Sequence, residues 1–188
     1  MSELTIALLY GSVRNERQGI GLAYFLEKQC RSRGWDTTLI DPRIHTLPLL
    51  EKTYKEYDTN DAPENMQYIA QVLDQADGFL IITAEYNHNI PPALSNILNH
   101  YGKEFQKKIS GIITYSSGPF GGIRSEMPLR QMISKLGAPA IPTVFPVSQI
   151  HESFSEDGKA LDLAYERRIQ GFLDEFAWYT EAIKKARS

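Results

Sequence analysis

The sequence predicts a three-layer α/β sandwich on a five-stranded parallel sheet in the order 2-1-3-4-5. Three observations predict it. The 188-residue chain alternates short apolar runs with segments of helical period, β-α-β-α-β-α-β-α-β-α, with no internal repeat and no compositional break. Such alternation implies a parallel sheet covered by helices on both faces. The runs Leu4–Tyr10, Phe79–Thr83 and Ile109–Tyr115 are apolar nearly throughout rather than at alternate positions, as strands buried on both faces are. The polar stretches at 11–20, 84–92 and 116–122 each follow one of these runs. They therefore leave C-terminal strand ends. With right-handed crossovers, the simplest strand order brings them to one crevice at the switch point between the first and third strands. The length suits one domain, and residues 1–188 are expected to form a single one.

Each element has its own signal. Leu4–Tyr10 is broken by Gly11, and from Ile20 the residues Leu22, Ala23, Phe25 and Leu26 make an amphipathic helix that ends near Gly34. Trp35–Ile40 is the second strand, closed by Asp41-Pro42. Residues 42–63 are polar and proline-bearing, a surface loop or flap whose Leu47, Leu49, Leu50, Tyr54 and Tyr57 suit either their own domain or a second subunit. Glu64–Gln75 is a helix, Phe79–Thr83 the third strand, and Pro91 or Pro92 opens the next helix through Ala93, Leu94, Ile97 and Leu98. Ile109–Tyr115 is the fourth strand, Ile123–Leu136 a helix stopped by Gly137, and Ala138–Val147 a proline-interrupted fifth strand. A last helix spans Leu161 to about Ala186 and carries a core-facing stripe of Phe172, Phe176 and Tyr179. This is the flavodoxin-like order.

Composition narrows the function. A formal net charge of −3 gives no basic field for a nucleic-acid backbone. Cys30 is the only cysteine, which excludes an internal disulfide and a cysteine-rich metal site and suits a reducing compartment. His45, His88, His100 and His151 have no ligand spacing, so no metal is expected. No leader-like or membrane-spanning apolar run is present, and a cytoplasmic location is expected.

The three loops differ in chemistry. The first couples Ser12, Arg14, Arg17 and Gln18 to a helix start at Gly19-Ile20. Free helix N–H groups, a hydroxyl and guanidinium forks suit a phosphate. A Gly-Ser turn is also common between a strand and a helix, so a solvated loop and an anion site both remain open on this stretch alone. It is neither a dinucleotide fingerprint nor a Walker loop, which argues against an NTPase or an ordinary Rossmann dehydrogenase. The second loop offers Glu85, Tyr86 and Asn87: a ring to lie against a flat ligand and an amide for its heteroatoms. The third offers Ser117, Gly118, Gly121 and Gly122, where glycines permit close backbone approach. A phosphate at one end and a planar polar ring at the other describe a flavin mononucleotide. His88 reads best as a solvated loop residue, and Arg124 and Arg130 serve either a nucleotide phosphate or a surface ion pair.

Gly11-Ser-Val-Arg14, Ala84-Glu-Tyr-Asn87 with Pro91 and Leu94-Ser-Asn96, and Ser117-Gly-Pro-Phe-Gly-Gly-Ile-Arg124 with Leu129-Arg130 and Leu136-Gly137 together resemble the NADPH-dependent FMN reductase family, from about residue 4 to about residue 147. The resemblance implies that Ser12, Arg14, Gln18, Gly19 and Ile20 hold the FMN phosphate. It assigns the isoalloxazine to Glu85, Tyr86, Asn87, Ser117, Gly118, Gly121 and Gly122. It implies NADPH, with NADH possible, as electron donor, a small-molecule electron acceptor (quinone, azo compound, free flavin or metal oxyanion), and no catalytic side chain. It also implies a homodimer or homotetramer packed through Asn89-Ile90, Tyr101 and the helix from Pro91. The chain departs from the family pattern at Ala84, where proline is usual, at Arg17, often serine, and at Ser95, often lysine. The rival reading is a flavodoxin-type FMN electron carrier for a protein partner, which a charge of only −3 disfavours. An interaction module with a vestigial flavin site is disfavoured by the intact motifs.

Overall fold

In the computed structural model, which describes residues 4–58 and 61–187, five parallel strands form one sheet in the order β2-β1-β3-β4-β5. The strands are β1 (Thr5–Tyr10), β2 (Asp36–Ile40), β3 (Gly78–Ala84), β4 (Ile109–Tyr115) and β5 (Ala140–Val147). The helices are α1 (Ile20–Ser32), α2 (Glu64–Gln75), α3 (Pro92–His100), α4 (Glu126–Leu136), α5 (Ile150–Ser153) and α6 (Ala164–Arg187).

Every residue of β3 and β4 is buried. That is why their sequences are apolar at consecutive positions: alternate side chains enter two different cores. On one face Leu8, Tyr10, Leu80, Ile82 and Ile113 meet Leu22, Phe25 and Leu26 of α1 and Phe172, Leu173 and Phe176 of α6. On the other, Ala7, Leu9, Phe79, Ile81 and Ile112 meet Met66 and Ile69 of α2, Leu94 and Ile97 of α3, and Leu129 and Ile133 of α4. Each fully buried Leu, Ile or Phe contributes roughly 1.5–3 kcal/mol of transfer free energy, before the entropy of ordering it. β5 lies at an edge, where Pro142 and Pro146 do least damage to the ladder.

The element boundaries differ from the sequence reading in a few places. α6 begins at Ala164 rather than Leu161, because Leu161 donates its N–H to the Ser153 carbonyl in a returning turn built on Gly158. Ile123–Ser125 is a 3-10 turn ahead of α4. Residues 42–58 are irregular apart from a 3-10 turn at Tyr54–Glu56; Leu47, Tyr54 and Tyr57 pack on their own core while Leu49 and Leu50 are exposed. Thr59 and Asn60 of that loop lie outside the described residues.

Candidate functional site

The C-terminal ends of β1, β3 and β4 bring the three loops together, and a polar cleft of about 120 Å³ opens between them. Six of the expected residues line it: Ser12, Arg14, Gln18, Glu85, Tyr86 and Ser117. Arg17, Tyr115 and Ile150 line it as well. A shallower hollow walled by Arg14, Asn15, Glu16, Gln18 and Ser117 adjoins it.

The loop after β1 is held by Ser12, which is buried and shares a hydrogen bond of 2.9 Å between its hydroxyl and that of Tyr86. The same oxygen receives the Arg14 N–H at 3.4 Å. Arg14 is exposed, and its guanidinium has no hydrogen-bond or ion-pair partner among the described residues; it lies 6.0 Å from the centre of the Tyr86 ring. Gln18 is exposed, and its side chain likewise has no hydrogen-bond partner among the described residues. Gly19 precedes the first residue of α1, and no side chain caps that helix start. Its smallness has a local cause: a Cβ there would stand 2.3 Å from Tyr115 Cζ. The cleft thus holds a cation and an amide beside a helix start that no side chain caps, where the Ile20 N–H is given to the Arg17 carbonyl at 3.1 Å; the cation and amide suit a phosphate monoester.

Arg17 behaves differently. Its guanidinium is bound to the buried carboxylate of Asp41 and lies 5.6 Å from the centre of the Tyr10 ring. The carboxylate raises its already high pKa further. Tyr10 stacks on Tyr115 with ring centroids 6.3 Å apart, and the Tyr115 hydroxyl donates to that of Tyr10 at 3.1 Å. Burial pushes the Tyr10 phenol up to about 12 and the Tyr115 phenol well above its usual range, so both hydroxyls keep their protons at neutral pH.

The second loop turns at Asn87 and His88, both at positive φ (52° and 60°), closing paired backbone bonds between Tyr86 and Asn89 of 2.9 and 3.0 Å. This is the geometry of a tight two-residue turn, held here by non-glycine residues at some cost in strain. Asn87 and His88 stand exposed at its tip, outside the cleft lining. Glu85 is mostly enclosed; it accepts the Arg124 N–H at 3.1 Å and pairs with the Arg124 guanidinium at 3.4 Å. Arg130 is spent on Glu126 and on the carbonyls of Ala140 and Ile141.

In the third loop, Gly121 and Gly122 are buried at positive φ (62° and 73°). A Cβ at Gly122 would meet the Tyr115 carbonyl oxygen at 2.4 Å. Their carbonyls bond to Thr114 and Ser125, and the Gly118 carbonyl to Ser116 and Gln149. These glycines therefore have a folding reason in the turn itself. Gly19, Ile20, Asn87, Gly118, Gly121 and Gly122 do not line the cleft. Sequence reading missed Tyr115 and Ile150. Tyr115 looked like ordinary strand core, and Ile150 belongs to a four-residue helix too short to show periodicity.

A parallel sheet of this order, with a polar crevice beyond β1 and β3, makes this a flavodoxin-like protein. Comparison with known proteins goes further. The family model for NADPH-dependent FMN reductase matches residues 4–152. The subunit CrdA of an NADH:(hydroxy)cinnamate reductase from Vibrio ruber is 28% identical over 77% of this chain and 73% of its own. A 2-hydroxy-1,4-benzoquinone reductase from a Burkholderia species is 26% identical over 93% of this chain and 94% of its own. Among solved structures, the flavoenzyme NAD(P)H:(acceptor) oxidoreductase FerB from Paracoccus denitrificans superposes with a TM-score of 0.75 at 25% identity, over 95% of this chain and 98% of its own. The chain belongs to the NADPH-dependent FMN reductase family and is a flavin-dependent NAD(P)H oxidoreductase. Among the described residues no helix is long and apolar enough to cross a membrane, and no cluster of His, Cys, Asp and Glu is placed to hold a metal ion.

Proposed function

We propose that the crevice holds FMN and that the enzyme passes electrons from NAD(P)H through it to a small oxidised acceptor of the quinone class. The observation that carries this is the uncommitted donor set at the start of α1. The side chains of Arg14 and Gln18 have no hydrogen-bond partner among the described residues, and no side chain caps the helix beside them. A phosphate monoester completes such a set, so the residues fit the group.

In this reading Arg14, Gln18, Ser12 and the Gly19 N–H bind the phosphate, with Ile20, whose N–H is given to the Arg17 carbonyl at 3.1 Å, beside them. Glu85, Tyr86 and Asn87 on one side and Ser117, Gly118, Gly121 and Gly122 on the other frame the ring system. When bound, FMN supplies the redox chemistry, accepting electrons from a nicotinamide and releasing them to an acceptor. The side chains have to bind, orient and exclude water; none is required as acid, base or nucleophile. Tyr10 and Tyr115 keep their protons beneath the phosphate loop, so the floor of the cleft adds no negative charge near neutral pH.

A second copy of the chain is part of the same proposal. Val13 and Leu49 are exposed in a cleft also lined by Pro92, Ala93 and Ile97 of α3, and Ile44 and Leu50 of the Leu49 loop are exposed as well, an apolar surface suited to a homodimer or homotetramer. Pro92 and Ala93 put the start of α3 in that cleft, while Ile90 packs partly buried on the core and Tyr101 is buried with its hydroxyl on the Met66 carbonyl, in the subunit's own core. A cytoplasmic enzyme fits the single cysteine, Cys30, which is buried and unpaired.

The test is anaerobic rapid mixing of FMN-reconstituted protein with NADPH or NADH, following the flavin absorbance. Bleaching within seconds, reversed by a quinone, is expected, and the faster donor reveals the preference. Bound flavin that stays oxidised with both donors overturns the reductase reading in favour of an electron carrier.

A further inference from the structure

The donors that the sequence offers in the first loop include two arginines, Arg14 and Arg17, yet the fold treats them in opposite ways. Arg14 is left open. Arg17 is enclosed, 14% exposed at its side chain, and bound to a carboxylate that is 2% exposed. That carboxylate, Asp41, stands immediately after β2 on a strand that none of the three site loops follows.

Asp41 is tied into the structure on several sides. Its Oδ1 accepts the Arg17 guanidinium and, at 2.9 Å, the Arg43 N–H. Its carbonyl accepts the N–H groups of Ile44 at 3.0 Å and His45 at 2.8 Å, and its own N–H donates to His45 Nδ1 at 3.2 Å. Arg43 reaches across to the Asn15 carbonyl at 3.4 Å. The turn at 41–45 therefore grips the phosphate loop at two points, Asn15 and Arg17. From Arg17 the contacts continue through the Tyr10 ring to Tyr115, whose ring leaves no space for a side chain at Gly19.

A buried ion pair of this kind is a poor device for stability alone, because desolvating both charges offsets most of their attraction. The Oδ2 oxygen of Asp41 is buried and has no partner among the described residues, a further cost. Its placement makes sense if the pair holds the loop in one shape. We propose that Asp41 is a positioning residue for the FMN phosphate: it withholds Arg17 from the ligand and uses it as a strut, so that Arg14, Gln18 and the start of α1 stay aimed at the phosphate. The inference rests on the FMN reading above.

The inference has an unusual sign. Simple electrostatics says that removing a negative charge beside an anion site tightens anion binding, the more so if it frees an arginine. A strut predicts the reverse. The experiment is fluorescence titration of apo-protein with FMN and with riboflavin, which lacks the phosphate, for the native chain and Asp41→Asn. The expected result is an FMN affinity about tenfold weaker, the value of one charge-assisted hydrogen bond, with riboflavin affinity unchanged. FMN binding that is unchanged or tighter overturns the proposal. So does a parallel loss of FMN and riboflavin affinity, which marks a merely structural role. Should Asp41→Asn fail to fold, Asp41→Glu, which keeps the ion pair but moves it by a methylene, is read by the same criteria. Native protein that binds neither flavin refutes the FMN reading itself, a result distinct from every outcome for the variant.

Discussion

The two edges of the sheet make opposite use of their polar groups. At the N-terminal edge a cleft of about 570 Å³ lies between the starts of β4 and β5, the end of α4 and the end of α6, matched in volume by the hollow of about 560 Å³ that adjoins the smaller cleft of about 120 Å³ at the C-terminal edge. The buried charge there is committed to the fold, while Lys107 and Lys135, which also line the cleft, are exposed. Lys108 is buried and donates to the carbonyls of Leu73 and Asp74 in the last turn of α2, at 2.6 and 2.8 Å, and to the Glu104 carbonyl at 3.0 Å. Asp77 accepts Lys184, Arg187 and the Thr5 N–H. One helix end is thus closed by a cation, while at the other edge α1 starts without a side-chain cap beside Arg14. Donors left uncommitted beside a helix start, rather than volume, distinguish the edge proposed to hold FMN.

The largest expected effect breaks the comparison from the structural side. Lys108→Met keeps most of the side-chain volume but leaves two buried carbonyls, of Leu73 and Glu104, and the part-buried one of Asp74 without their donor. It should destabilise the fold by roughly 2–4 kcal/mol while FMN affinity stays at the native value. Chemical denaturation and flavin titration of the same variant check both halves. A loss of FMN affinity in the folded variant would mean that the two edges are coupled.

The converse substitution comes next. Arg14→Ala removes a side chain that makes no hydrogen bond within the described fold, so stability should move by less than about 0.5 kcal/mol. FMN affinity should fall roughly 10- to 100-fold, with riboflavin affinity unchanged. Unchanged FMN affinity sinks the phosphate assignment.

Why the fold was so legible, and the site only in part, follows from which physics is local. Consecutive apolar residues in β3 and β4 report burial on both faces, and Gly34 and Gly137 at positive φ report helix ends; both signals sit within a few residues. The loop proposed to hold the phosphate was readable as a strand-turn-helix junction because those three parts are adjacent in sequence. The strut beneath it was not, because Asp41 meets Arg17 across 24 residues and Tyr115 meets Tyr10 across 105. Asp41 read only as a strand terminator, and Tyr10 and Tyr115 only as core. The glycines at 121 and 122 were legible as constrained, and positive φ at both, with the Tyr115 backbone against Gly122, gives them a folding role that the sequence did not show beside the proposed ligand role.

The smallest effect expected is a pH signature in which the two edges titrate with opposite signs. Burial, reinforced by nearby Arg187, lowers Lys108 to about 8, below its value of about 10.5 in an unfolded chain. Between those values the unfolded chain holds a proton the folded one has released, so Lys108 contributes stability that grows as pH rises. Tyr10 runs the other way. Burial raises its phenol to about 12, against about 10 unfolded, so its contribution is complete below pH ~10 and is lost as pH climbs toward 12. Cys30, raised by burial to about 12, adds to that loss from about pH 9 upward. Stability measured by denaturation across pH 8–11 should therefore decline less steeply in Tyr10→Phe than in the native chain, by about 1 kcal/mol at the alkaline end. In Lys108→Met the decline should be steeper, because the compensating gain is gone. Parallel pH profiles for the native chain and both variants would show that neither buried group is coupled to folding in the way its surroundings imply, and the contrast between the two edges would then rest on hydrogen bonding alone.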